Sequence, residues 1–154
     1  MTQVTHYGNI LDNVLDNAII CHGCNKKGSM GKGIALSIKQ KYGKAYKDYI
    51  NAYNSNNLGL GTVIFSHIRD FLFIANAVTQ DKYWSPGDSG DIVYADYDAI
   101  RKCFKTIAAF SKEQKLPVHY PKIGAGLANG NWDIINKIIC EELDGTEHHL
   151  WILQ

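Results

Sequence analysis

The chain has 154 residues, 45% of them hydrophobic and 20% charged, with a formal net charge of +1. A domain of this size buries roughly 70% of the surface its unfolded chain would expose, so it needs neither a disulfide nor a metal to fold. Near-neutral charge gives no support for intrinsic nucleic-acid binding, no apolar run approaches the roughly 20 residues of a membrane span, and the MTQVTHYGNI start lacks the basic and apolar regions of a leader.

In chain order, Val4 to Tyr7 predicts a short strand ended by Gly8-Asn9, and Ala18 to Cys21 a continuous apolar strand. Ile34 to Tyr53 carries helical spacing broken near Gly43. The segments TVIFSHI and FLFIANAV are β-branched and aromatic and flank a polar Arg69-Asp70 turn, which predicts a strand pair. Gln80 to Asp91 is a loop by its Pro, Gly, Ser and Asp content. From Ile92 to Lys115, residues Ile100, Cys103, Phe104, Ile107 and Phe110 share one helical face. Leu116 to Tyr120 predicts a strand, Trp132 to Leu143 a helix, and HHLWILQ a closing strand.

Strands alternating with helices imply an α/β domain whose sheet is covered on both faces and binds ligands beyond the carboxyl ends of its strands. Two glycine-rich loops stand at such ends. Gly28, Gly31 and Gly33 precede one helix, and Gly124, Gly126 and Gly130 precede another, so two sets of amides and two helix N-termini are expected to converge on an anion. Gly31-Lys32-Gly33 is followed by Ile34 rather than the Ser or Thr of a nucleoside-triphosphate loop, and the glycine spacing is not that of a dinucleotide fold. Cys21 and Cys24 have no second paired set, so the four cysteines read as buried thiols of a reducing compartment, with no metal site. A cytoplasmic monomer is expected.

The runs GNIL, IICHGCNKKGSMGKGIALSIKQKYGKAYKDY and PKIGAGLANGNW resemble the macro domain, nearly end to end. Within that family they are most similar to the branch of the ADP-ribose-1″-phosphate phosphatases. The resemblance implies a three-layer α/β/α fold with a central mixed sheet, and ADP-ribose or its 1″-phosphate as the ligand. It implies no cofactor. Ser29, Met30, Gly31, Lys32, Gly33 and Ile34 would form one wall of the diphosphate site, and Ile123, Gly124, Ala125, Gly126 and Leu127 the other. Asn9 and Ile10 would lie near the adenine, and Asn25 near the distal ribose.

His22 matches the histidine of the phosphatase branch, and an imidazole that titrates near neutrality suits proton transfer to a leaving oxygen. A related branch removes ADP-ribose from glutamate side chains through a lysine and an aspartate; here those positions hold Asn76 and Ala128, which disfavours that route. Two alternatives stay open, an ADP-ribosyl hydrolase acting on a modified macromolecule or small conjugate, and a non-catalytic ADP-ribose reader. Tyr83 and Trp84 are lid candidates on the Pro-Gly loop, Trp132 and Trp151 read as core, and Lys26-Lys27 could draw phosphates to the mouth.

Overall fold

The computed structural model describes residues 2–154. In chain order the elements are β1 (Val4–Tyr7), α1 (Ile10–Asn13), β2 (Ala18–Asn25), α2 (Gly33–Lys41), α3 (Gly43–Asn54), β3 (Val63–Arg69), β4 (Leu72–Gln80), α4 (Tyr97–Gln114), β5 (Val118–Tyr120), α5 (Trp132–Glu142) and β6 (His148–Ile152). They form one six-stranded sheet in the order β1-β6-β5-β2-β4-β3. All neighbours are parallel except the β3–β4 hairpin, so the sheet is mixed, as expected.

Burial of both faces explains why β2 reads as an unbroken apolar run. Ile19 and Cys21 join the core under α4 and α5 with Ile100, Phe104, Ile107 and Ile135. Ala18 and Ile20 face the other way, against Ile10, Ile38 and Ala45 of α1, α2 and α3. The central strand therefore has no solvent face at all. It also runs further than expected, to Asn25 instead of Cys21, because parallel pairing with β4 continues through Cys24 before the register shifts.

Capping side chains move several boundaries. The helix expected from Ile92 starts at Tyr97, because Asp96 accepts a hydrogen bond from Ala99 N at 2.9 Å while Tyr94 N and Ala95 N both donate to Ala128 O. The short α1, absent from the sequence expectation, starts where Asn9 Oδ1 accepts from Leu11 N. β5 covers only Val118–Tyr120 of the expected Leu116 to Tyr120.

The second glycine-rich loop folds on itself. Gly130 N donates to Gly124 O at 2.7 Å, and a Cβ at Gly130 would lie 2.6 Å from that oxygen and 2.7 Å from Ile135 Cδ1. A Cβ at Gly126 would meet nothing within 4 Å. Gly130→Ala is therefore expected to lower stability by about 1–3 kcal/mol, as overpacking does, and Gly126→Ala by under about 0.5 kcal/mol, as an open surface site does. Paired thermal or urea denaturation of the two variants checks this; equal midpoints would contradict the close approach.

Candidate functional site

Two cavities open at the carboxyl ends of the parallel strands. The wider, about 630 Å³, is bordered by Asn9, Ile10, Leu11, Gly33, Ile34, Ser37, Ala125, Gly126 and the β6 end from Trp151 to Leu153. The narrower, about 150 Å³, is bordered by Gly23, Cys24, Asn25, Ser29, Gly31, Lys32, Gln80, Tyr83, Trp84 and Leu127. The first glycine-rich loop and the second thus face each other across both spaces. Their boundary runs through Gly31–Gly33 on one side and Gly126–Leu127 on the other.

Along that boundary the backbone is exposed and unpaired. Among the described residues, the amides of Gly31, Lys32 and Gly33, and across from them those of Gly126 and Leu127, make no hydrogen bond within the protein. Lys32 is the residue before α2 and offers no side-chain acceptor to its first turn. The N-terminus of α2 is consequently open to an external acceptor. The expected second helix terminus does not join it, because Asn131 accepts from Asp133 N at 2.9 Å and from Ile134 N at 3.4 Å and so closes α5 with its own side chain.

The first loop is held from below by a hydroxyl from α3, about twenty residues further along the chain. Tyr49 of α3 is fully buried, and its OH donates to Asn25 O at 2.6 Å while accepting from Gly28 N and Ser29 N at 3.1 Å each. Asn25 completes the clamp. Its Oδ1 accepts from Lys27 N at 2.9 Å and its Nδ2 donates to Ser29 O at 2.9 Å. The amide expected to reach a ribose hydroxyl is thus committed to shaping the loop, although Asn25 does border the narrower cavity.

Other expected residues divide between wall and core. Met30 and Ile123 are buried, Met30 against Cys24, Tyr49 and Val78, and Ile123 in the large cluster under α4. Gly124 borders neither of these two cavities; its φ of +77° and the Ile135 and Ala95 atoms beside it make it a structural turn. Asn9 borders the wider cavity, yet its acceptor oxygen caps α1. Ser29, Gly31, Lys32, Gly33, Ile34, Ala125, Gly126 and Leu127 all lie on the walls. Gly23 and Cys24 border the narrower space although only their flanking residues were singled out. The glycine inside an apolar strand was the available signal, since such a residue marks close approach. Trp151, expected in the core, borders the wider cavity with Nε1 donating to His119 Nδ1 at 2.9 Å. Lys26 and Lys27 both lie near Asp81, at 3.5 and 3.7 Å, and border neither cavity.

His22 sits behind the wall instead of on it. The ring is fully buried, with Nε2 at 2.6 Å from Asn76 Oδ1 and Cys24 Sγ at 3.6 Å. Asn76 is itself buried within β4 and donates to Ile64 O at 2.8 Å. Nε2 must carry the proton to donate to an amide oxygen. Burial pulls the imidazole pKa down to about 4, only partly opposed by that hydrogen bond, so the ring is neutral at pH 7. The ring lies on the α1–α3 side of β2 with no exposed surface of its own. Burial also pushes the Cys24 thiol up, away from thiolate reactivity. Ala128, at the other departure position, is buried and supplies only a backbone oxygen.

The sequence model of the Macro domain family matches residues 21–139. An ADP-ribose 1″-phosphate phosphatase of Debaryomyces hansenii is 30% identical over 149 aligned positions, covering 79% of this chain and 81% of that protein. Another of the same description, from Lodderomyces elongisporus, is 25% identical over 88% of this chain and 86% of its own length. A solved structure of a Bacteroides thetaiotaomicron protein of unknown function superimposes with a TM-score of 0.90 at 31% identity, covering 99% of this chain and 98% of the other.

The position of His22 has a consequence for stability. Its folded pKa of about 4 lies below the ordinary 6.5, so the unfolded chain binds a proton that the folded chain refuses. Stability from this group is intact above pH 6.5 and falls as pH drops toward about 4. Between pH 7.5 and 4.5 wild type is expected to lose about 2–3 kcal/mol more than His22→Gln, from 1.36 kcal/mol per pKa unit. Urea unfolding at both pH values checks it, and equal losses would place the ring in contact with water.

Proposed function

The chain belongs to the macro domain family, and on that premise we propose that it binds ADP-ribose and hydrolyses ADP-ribose-1″-phosphate to ADP-ribose and inorganic phosphate without a metal. One observation carries this reading: two cavities of different character joined along two facing strips of unpaired backbone amides. The wider one, with Ile10, Leu11, Ile34, Trp151, Ile152 and Leu153 on its walls, suits a flat apolar base. Asn9, already a cap, adds at most one further acceptor lone pair toward it.

The diphosphate then lies across the boundary, where the amides of Gly31–Gly33 and Gly126–Leu127 and the positive end of α2 meet its charge. The distal ribose and its phosphate fall into the narrower cavity beside Ser29, Lys32 and Gln80. Water attacks phosphorus, the bond from phosphorus to the anomeric oxygen breaks, and one proton of that water ends on the departing anomeric oxygen while the other stays on the phosphate. Phosphoryl transfer of this type spreads charge over three equatorial oxygens, so positioned donors supply most of what catalysis needs. His22 acts in this scheme as a positioning residue, tying the end of β2 to β4 through Asn76.

A second reading, binding without turnover, has one observation in its favour: among the described residues, no carboxylate or imidazole borders the narrower cavity. An ADP-ribosylated macromolecule would be its natural partner. The protein is further proposed to work as a cytoplasmic monomer, in keeping with its near-neutral charge and four unpaired cysteines, three of them buried. None of its helices is long and apolar enough to cross a membrane, among the described residues.

Phosphate and ADP-ribose release from a panel of ADP-ribose esters separates the readings. Phosphate release from the 1″-phosphate is expected to survive a strong chelator; loss in chelator with recovery on adding a divalent cation would overturn the metal-free scheme. Gly126→Val is expected to weaken ADP-ribose binding by about 100-fold or more while the fold persists, since its Cβ direction is open and its φ ordinary. Calorimetry at wild-type affinity in the folded variant would remove Gly126 from the ligand path. Gly33 is a poorer test site because its φ of +58° strains any larger residue.

A further inference from the structure

Among the described residues, the narrower cavity has one cation on its wall, Lys32, and no carboxylate. Every other lysine in that neighbourhood is engaged. Lys26 and Lys27 share Asp81, and the Lys82 ammonium lies 6.0 Å above the Tyr94 ring. Lys32 has no ion-pair partner among the described residues; its ammonium stands 4.7 Å above the centroid of the Trp84 ring, across the cavity from the loop that carries it.

The place of this lysine in the chain is energetically odd. It occupies the residue before α2, with extended φ and ψ of −145° and 157°. Helices favour Ser, Thr, Asp or Asn there, and a positive charge at the positive end of a helix is unfavourable. The same protein uses Asn9, Asp96 and Asn131 at the corresponding positions of α1, α4 and α5, each with its side chain bonded to the first turn. Lysine at this point leaves the α2 amides open and adds a mobile cation beside them. Both effects cost stability and both favour a bound anion.

We propose that Lys32 selects a terminal phosphate monoester over a free anomeric hydroxyl, and that Trp84 holds its ammonium when no phosphate is bound. A phosphate monoester carries about −1.5 to −2 charges at pH 7. A cation–π contact at a partly exposed ring is a weak competitor for such a charge. The four-carbon stem lets the ammonium leave the indole without moving the backbone, so the arrival of phosphate exchanges one partner for another. ADP-ribose alone presents no dianion in this cavity and leaves the lysine on the ring.

This inference rests on the proposed ligand and is tested as a ratio. Affinities of ADP-ribose-1″-phosphate and ADP-ribose are measured by displacement of a labelled ADP-ribose, read before turnover, in wild type, Lys32→Gln, Lys32→Arg and Trp84→Leu. The preference for the phosphate ester is expected to fall about tenfold in Lys32→Gln and to stay within about threefold of wild type in Lys32→Arg, because charge and reach are kept. In Trp84→Leu it is expected to rise about two- to threefold, since the competing ring is gone. A wild-type preference unchanged in Lys32→Gln, or lost equally in Lys32→Arg, overturns the assignment while leaving the ligand reading intact. Failure of wild type to bind either compound overturns the ligand reading and this inference together.

Discussion

A backbone amide with no partner inside the protein must reach water, and when it stands exposed at the edge of a cavity a ligand acceptor can take the place of that water. In this molecule Gly31, Lys32 and Gly33 face Gly126 and Leu127 in that condition. The first run stays open because α2 has no capping side chain and because the preceding turn is pinned by Tyr49 and Asn25, which absorb the amides of Lys27, Gly28 and Ser29 and none beyond. The second stays open because its own internal bonds, from Ala125 to Lys122, Asn129 to Gly126 and Gly130 to Gly124, bracket the two free groups without reaching them.

Glycines in the two loops answer to different constraints. Gly130 and Gly124 are squeezed against each other and against Ile135, so they serve the core and shape the loop. Gly126 has open space where a side chain would go, so nothing in the protein itself requires its smallness. That contrast identifies which glycine speaks about a ligand and which about folding. Gly23 belongs to both classes, since it borders the narrower cavity while a Cβ there would come within 2.8 Å of Thr79 Oγ1.

On the α1–α3 face of the sheet, a polar seam runs from His22 through Asn76 to Ser66 and divides two apolar clusters. Its buried groups are satisfied by each other and by Ile64 O, as low-dielectric surroundings demand. A neutral imidazole suits this better than a charged one, which is the physical reason its pKa is depressed. The seam adds a side-chain bond between β2 and β4 at the His22–Asn76 pair, where the backbone ladder already joins the two strands. Chemistry on the wall then falls to amides, the hydroxyls of Ser29 and Tyr83, and Lys32.

Residue order alone determined the layers. Continuous apolar runs, a helical face at Ile100, Cys103, Phe104 and Ile107, and glycine clusters after strands are local patterns, and they locate strands, a helix and two loops that the folded chain contains. Ends and roles were a different matter. Whether β2 stops at Cys21 or Asn25 depends on pairing with β4, some fifty residues away, and the start of α4 depends on contacts from Ala128. His22 is buried at 0% exposure because side-chain direction near a strand end follows sheet register, which no local spacing encodes, and Met30 is buried because its loop packs on Tyr49 and Val78. The same holds for Tyr49, whose hydroxyl meets the first loop only after α3 packs beneath it, and for Lys32, whose lack of a carboxylate partner is a property of the whole neighbourhood. Sequence fixes which atoms are present; only packing decides which of them still lack a partner, and those are the atoms left to bind a ligand.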